Sequence, residues 1–202
     1  IFNWEKISLI GHSLGSMSSF LFATLFPSKV DIVIAIEALI PFVRDPWIAG
    51  NVADADQMMR DKVLKFELAD ERNRMKLEPP AYTIDEMIEK ITQGQFGSLT
   101  NEVAPYLLRR NIKESKLHPE KFHFTNDNRI KFHLIMTYPS DVCINLSKKL
   151  SMPYLYLRAA KHLDIENPYH NQVDELIKIL KQTNPRFEHH DIDSTHHLHL
   201  TE

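Results

Sequence analysis

The sequence has too little cysteine and too little continuous apolar sequence for several classes of protein. Its single cysteine, Cys143, cannot form a disulfide within the chain, which excludes a disulfide-stabilised secreted scaffold. One unpaired thiol fits a reducing compartment, so we expect a cytoplasmic protein, with a peroxisomal one as the alternative. No stretch approaches the roughly 18 to 20 apolar residues that a membrane-spanning helix needs, so no membrane span is expected.

An excess of charge of one sign is also lacking. The net charge is -3 at pH 7, and the isoelectric point is about 6.4. Basic residues are scattered rather than clustered in a stripe, which argues against nucleic acid or an anionic membrane as a partner. Hydrophobic residues make up 43% of the chain and charged residues 25%, which is ordinary for a globular protein. The 202 residues therefore predict one large domain, or a domain with an insertion.

Short apolar runs alternate with helical segments at both ends of the chain. Strands are predicted at residues 5–10, 30–36, 153–158 and 186–192. Helices are predicted at residues 16–26, 52–75, 83–92, 101–113, 140–150 and 169–183. Within 41–139 only a short strand near 122–124 is expected to interrupt the helices. The alternation predicts an α/β fold with a mostly parallel sheet, its core at 1–40 and 140–202 and a helical cap inserted at 41–139.

One pentapeptide carries the clearest chemical signal. Gly11-His12-Ser13-Leu14-Gly15 matches G-x-S-x-G and lies between the first predicted strand and the helix that follows it. In that setting a sharp turn exposes the serine hydroxyl, and the two glycines allow the strand and the helix to approach each other. The motif therefore predicts a nucleophile elbow, in which Ser13 is the nucleophile and the N–H of Leu14 donates to an oxyanion.

Three segments resemble the α/β-hydrolase superfamily, and most closely its serine hydrolase-like proteins. They are Gly-His-Ser-Leu-Gly-Ser at 11–16, Tyr-Leu-Tyr-Leu-Arg-Ala-Ala at 154–160 and His-His-Leu-His-Leu at 196–200. The resemblance implies the α/β-hydrolase fold, here truncated. The family's first strands, with the loop that carries a second oxyanion donor, would precede Ile1, and its final helix would follow Glu202. We therefore expect a fragment, and expect activity of the complete protein rather than of this segment.

A serine nucleophile needs an imidazole that accepts its proton. The chain order of the fold puts this base in the loop after the last strand, where His196 and His197 stand. In the superfamily an acidic residue commonly follows the base, and the spacing from His197 to Glu202 resembles that pattern, so His197 is favoured and His196 is the alternative. A purely structural histidine cluster is a further alternative. A metal site is disfavoured because the tract has no cysteine or paired ligand at a suitable spacing.

The carboxylate that orients the base has two candidate positions. The commoner position follows the strand at 153–158, where the first acidic residue is Asp164. The other is Glu37, which interrupts an apolar run at the end of the second strand, where an unpaired charge would be costly to bury. The position of this carboxylate, at the end of the second strand, resembles that of the acid in the haloalkane dehalogenases and in the serine hydrolase-like proteins. Glu37 is favoured and Asp164 is the alternative, while a structural ion pair between Glu37 and an arginine such as Arg44 remains open.

These residues predict a serine hydrolase that cleaves an ester, thioester, amide or related carboxylic derivative through an acyl-enzyme. The partner is then a small acyl substrate, and the cap is expected to shape its cavity. No phosphate-binding loop, dinucleotide fingerprint or paired cysteine motif is present, so no cofactor and no metal are expected. The alternative is a non-catalytic member of the fold that keeps a ligand pocket.

Overall fold

Strands and helices alternate along the computed structural model, which describes residues 3–41, 52–95, 97–132, 138–162 and 168–201. In chain order the elements are β1 (Ile7–His12), α1 (Leu14–Leu25), β2 (Val30–Ile36), α2 (Val52–Arg74), α3 (Ile84–Gly94), α4 (Ala104–Leu108), β3 (Ile112–Glu114), β4 (Phe122–Phe124), α5 (Ser140–Ser147), β5 (Tyr154–Ala159), α6 (Pro168–Thr183), β6 (Phe187–Ile192) and α7 (Leu198–Thr201). They divide into two compact units, one of Ile1–Gly50 with Met136–Leu200 and the other of Asn51–Ile135.

Four parallel strands form the sheet of the first unit, in the order β1-β2-β5-β6. The register pairs His12 with Ile36, and Ile36 in turn with Leu157. The predicted α/β fold and its parallel sheet are thus confirmed. The first strand lies further along the chain than predicted, because it begins at Ile7 and continues through Gly11 to His12.

The core of the first unit is built where the β-branched and aromatic runs of the strands meet the apolar faces of the helices. Its largest fully buried side chains include Phe20 of α1, Tyr154 of β5 and Leu176 of α6. β1 is an edge strand of this sheet, and apolar side chains near that edge are exposed. Ile10 is 73% exposed and Leu25 of α1 is 60% exposed. The centre of the sheet is thus well covered, whereas apolar side chains are exposed to solvent on the side of β1.

In its described residues, the second unit has the α-helices α2, α3 and α4 and a two-stranded antiparallel sheet in which Ile112 pairs with Phe124. α3 begins with a reciprocal capping box between Thr83 and Glu86. The helix predicted at 101–113 was wrong in its extent, because only Ala104–Leu108 is helical. The Asn111 side chain donates to the Leu107 carbonyl just beyond the helix end, and the chain then enters β3.

No helix in the described ranges has the length and the apolar composition that crossing a bilayer requires.

Candidate active site

Ser13 occupies a strained turn between β1 and α1. Its φ of 53° and ψ of -117° lie in a region that residues with a side chain rarely adopt. Its N–H donates to the Ile36 carbonyl over 2.9 Å, and its own carbonyl accepts from the N–H groups of Ser16 and Met17. The turn is therefore fixed by the backbone on both sides. The Ser13 hydroxyl makes no capping hydrogen bond to the helix that follows it.

The two glycines of the motif have different structural roles. A Cβ on Gly11 would lie 2.5 Å from the backbone nitrogen of Ser16, and closer still to the carbonyl group of Gly15. Only glycine therefore fits at position 11 without a backbone shift. A Cβ on Gly15 would meet nothing within 4 Å. The prediction that both glycines give strand and helix room to approach holds for Gly11 and is wrong for Gly15, because the close contact is made from the strand side.

Ser16 joins the turn to the neighbouring strand. This fully buried residue has its hydroxyl oxygen 2.5 Å from the Gly11 carbonyl oxygen and 3.0 Å from that of Ile36, and it accepts from the Ile36 N–H over 2.9 Å. The sequence analysis gave Ser16 no role. The hydroxyl spans from the carbonyl end of β1 to the carbonyl end of β2, so both strand ends are held in register at the turn.

Glu37 directly follows β2 and also has a positive φ, of 64°. Its N–H donates to the Leu157 carbonyl over 2.8 Å, which anchors its backbone to β5. Its side chain is only 9% exposed, and Oε2 accepts from the Ala159 N–H over 2.5 Å. Oε1 lies 3.9 Å from Nδ1 of His196. The charge that interrupts the apolar run is therefore satisfied by one backbone donor and faces one imidazole.

Four histidines surround the turn. The ring centroid of His12 lies 4.7 Å from that of His196, 4.9 Å from that of His197 and 4.4 Å from that of His199. His197 is 6% exposed and lies edge-on to the His196 ring. Nε2 of His12 lies 2.8 Å from the His196 carbonyl oxygen. The sequence analysis missed His12, although its position between the first strand and Ser13 was the signal that could have found it.

Burial controls the protonation of two of these rings. The pKa of His12 is lowered to about 4, mainly by desolvation and also by the neighbouring His199 and His196, against the raising effects of the hydrogen bond with His196 and of Glu37. Desolvation likewise lowers the pKa of His199. His12 is consequently neutral at pH 7.

The structure thus brings Ser13, Glu37, His196 and His197 to the carboxyl ends of neighbouring strands. Leu14 is the first residue of α1, so its N–H has no acceptor within the helix. Asp164 and Arg44, the other partners considered for the base and for Glu37, lie outside the described residues, as does Glu202. Among the residues that the structure describes, no group of three or more His, Cys, Asp or Glu is arranged to hold a metal ion.

The fold is recognised from three features together: a parallel sheet, a strained serine turn at the end of one strand and a carboxylate at the end of the next. The chain has the α/β-hydrolase fold. A hypothetical protein of Pseudomonas aeruginosa matches it with a TM-score of 0.70 at 23% identity, covering 98% of this chain and 63% of that one. The thioesterase domain of the curacin biosynthetic pathway matches with a TM-score of 0.58 at 16% identity, covering 98% of this chain and 62% of that domain.

The chain is also similar in sequence to curated proteins. The Drosophila melanogaster protein named "Probable serine hydrolase" is 26% identical over 201 residues, which is 98% of this chain and 57% of the relative. The "Serine hydrolase-like protein" of Danio rerio is 24% identical over 205 residues, again 98% of this chain and 57% of the relative. The chain therefore spans less than two thirds of the length of these relatives. No family model matches the sequence.

Proposed function

We propose that this chain carries the catalytic residues of a serine hydrolase that acts on an ester, thioester, amide or related carboxylic derivative. The carrying observation is that Glu37, a nearly buried carboxylate, faces the His196 imidazole beside the strained turn that holds Ser13. A ligand-binding protein would need neither the strain nor the buried charge. The names of the two curated relatives support the same class of reaction.

In the proposed reaction, Oγ of Ser13 attacks the carbonyl carbon of the substrate while His196 takes the hydroxyl proton. Glu37 stabilises the imidazolium, and the N–H of Leu14 donates to the oxyanion. The carbonyl then reforms, the bond to the leaving group breaks, and His196 returns the proton to that group. In the second half, His196 takes a proton from water, which attacks the acyl carbon. The bond from that carbon to Oγ of Ser13 then breaks, His196 returns the proton to Oγ, and the carboxylic acid leaves.

We infer that His196 is the base and that His197 is the alternative. A triad acid acts by accepting from the Nδ1–H of the base, which fixes the tautomer and leaves Nε2 to accept the serine proton. The 3.9 Å between Nδ1 of His196 and Oε1 of Glu37 supports that orientation, because long contacts of this kind can tighten into hydrogen bonds when substrate binds. The spacing to Glu202, which favoured His197, is a weaker argument than a facing carboxylate.

Labelling with a fluorophosphonate probe tests the nucleophile. In the complete protein, the probe should modify the wild type and Ser18→Ala, but not Ser13→Ala. Ser18 is a matched control because it lies one turn further along α1, is exposed, and donates only to the Leu14 carbonyl in the structure. A wild-type protein that is not labelled at Ser13, and that binds a small ligand, would support the non-catalytic alternative instead.

Hydrolysis of a short p-nitrophenyl ester tests the acid and the base. Glu37→Gln should lower kcat by roughly 10⁴-fold, as expected when the acid that holds the histidine tautomer is neutralised. His196→Gln should lower kcat at least as far, whereas His197→Gln should retain most of it. The reverse order of the two histidine variants would move the base to His197. A small effect of Glu37→Gln with a large effect of Asp164→Asn would move the acid.

A further inference from the structure

We propose that His12 is a positioning residue that holds the backbone of the base, His196, against the turn that carries Ser13. This inference rests on the proposed function of Ser13 and His196. It assigns a role to the histidine of the G-H-S-L-G motif, which the mechanism above does not use.

The direction of the hydrogen bond follows from its chemistry. Nε2 of His12 lies 2.8 Å from the carbonyl oxygen of His196, and the two residues are 184 positions apart in the sequence. A carbonyl oxygen accepts and cannot donate, so Nε2 of His12 must carry the hydrogen. The bond therefore fixes His12 in the tautomer that is protonated at Nε2, and it ties the loop after β6 to the last residue of β1.

His12 and Glu37 hold different parts of His196. The carboxylate of Glu37 faces the imidazole ring and can set its rotation and tautomer. His12 contacts the main chain of His196, so it fixes the position of the His196 backbone rather than the rotation of its ring. Because His12 is bonded directly to Ser13, this hydrogen bond is also the shortest connection described between the nucleophile and the base.

The charge of His12 suits this position. The titratable groups that act on it are His196, His199 and Glu37, and burial outweighs them, so the ring is neutral near pH 7. A permanent cation at residue 12 would oppose the positive charge that the base gains when it takes the serine proton. A neutral donor ties the loop down without that opposition.

The matched pair His12→Gln and His12→Met tests the role of the donor. Both variants lose the ring and have side chains of similar length, but only Gln can donate to the His196 carbonyl. We expect His12→Met to lower kcat and the rate of Ser13 labelling by about 100-fold with KM nearly unchanged, as for a misplacement of about 1 Å. His12→Gln should recover at least about tenfold of that loss, because a single neutral hydrogen bond is retained. His199→Met, which removes another ring of the cluster, is the control and should stay near wild type.

Equal rates for the Gln and Met variants would overturn the role of His12. A second measurement does not depend on how the variants fold. In wild-type protein labelled with ¹⁵N-histidine, NMR at pH 7 should show His12 protonated at Nε2 and unprotonated at Nδ1. The opposite tautomer would also overturn the proposal. Wild-type protein whose Ser13 does not react would contradict the proposed function itself, whereas reactive Ser13 with indistinguishable Gln and Met variants contradicts His12 alone.

Discussion

Substituting the two motif glycines by alanine should change stability in opposite directions. In Gly11→Ala the new Cβ would lie 2.5 Å from the Ser16 nitrogen, against an ordinary contact of roughly 3.5 Å, so backbone atoms must move by about 1 Å. Overpacking of this kind costs about 1–3 kcal/mol. The shift also strains the Ser16 hydroxyl bond to the Gly11 carbonyl, worth about 1 kcal/mol. These two contributions together should lower the free energy of unfolding by about 3 kcal/mol.

In Gly15→Ala the new methyl group meets nothing within 4 Å, and the residue lies in the first turn of α1. Alanine is favoured over glycine in a helix by up to about 1 kcal/mol, so this variant should be slightly more stable. Urea denaturation measures both changes. With a slope of about 2 kcal/mol per molar urea, the midpoint should fall by about 1.5 M in Gly11→Ala and rise by up to about 0.5 M in Gly15→Ala. If the midpoints of both variants fell equally, the conclusion that only Gly11 makes a close backbone contact would be refuted.

Two further predictions concern pH and association. Because the folded pKa of His12 is about 4 against 6.5 when unfolded, the unfolded chain binds more protons between these values. Stability should therefore rise with pH from 4 to 6.5, and His12→Gln should flatten the rise in urea midpoints. The exposed apolar edge at Ile10 and Leu25 should make the 202-residue chain associate, and Ile10→Lys with Leu25→Lys should raise the monomer fraction in size-exclusion chromatography.

Each of these two predictions has a control and a contradicting outcome. An unchanged pH slope in His12→Gln would assign the slope to other groups, such as His189 and His199, whose pKa values burial also lowers. For association, Tyr106→Lys is the control, since Tyr106 is 71% exposed but lies in the second unit. If that variant raises the monomer fraction as much as the edge variants do, added charge rather than the β1 edge is responsible.

The parts of this site that sequence could predict are those set by neighbours along the chain. A β-branched run, a glycine and a small-residue helix predict the turn at Ser13 because strand, turn and helix are all local. Glu37 was found for a similar reason, since a charge inside an apolar run needs a partner whatever the fold.

The parts that could not be predicted depend on residues far apart in the sequence. The bond between His12 and the His196 carbonyl exists only once β1 and the loop after β6 meet. The choice between His196 and His197 is of this kind, because adjacent loop residues point in directions that spacing does not reveal. The strand at Ile112–Glu114 was missed because its partner, Phe122–Phe124, lies across a turn and its own three residues continue a helical pattern.

Ser13 and Glu37 each follow directly after residues that are paired in register, His12 with Ile36, and Ile36 with Leu157. The separation between Ser13 and Glu37 is thereby set by the spacing between parallel strands, about 4.8 Å, and not by any loop. The second unit, Asn51–Ile135, is inserted in the chain after Glu37 and before Tyr154, and it contributes no strand to this sheet among the described residues. The length and composition of that unit can therefore be exchanged, in evolution or in the laboratory, without resetting the distance between Ser13 and Glu37.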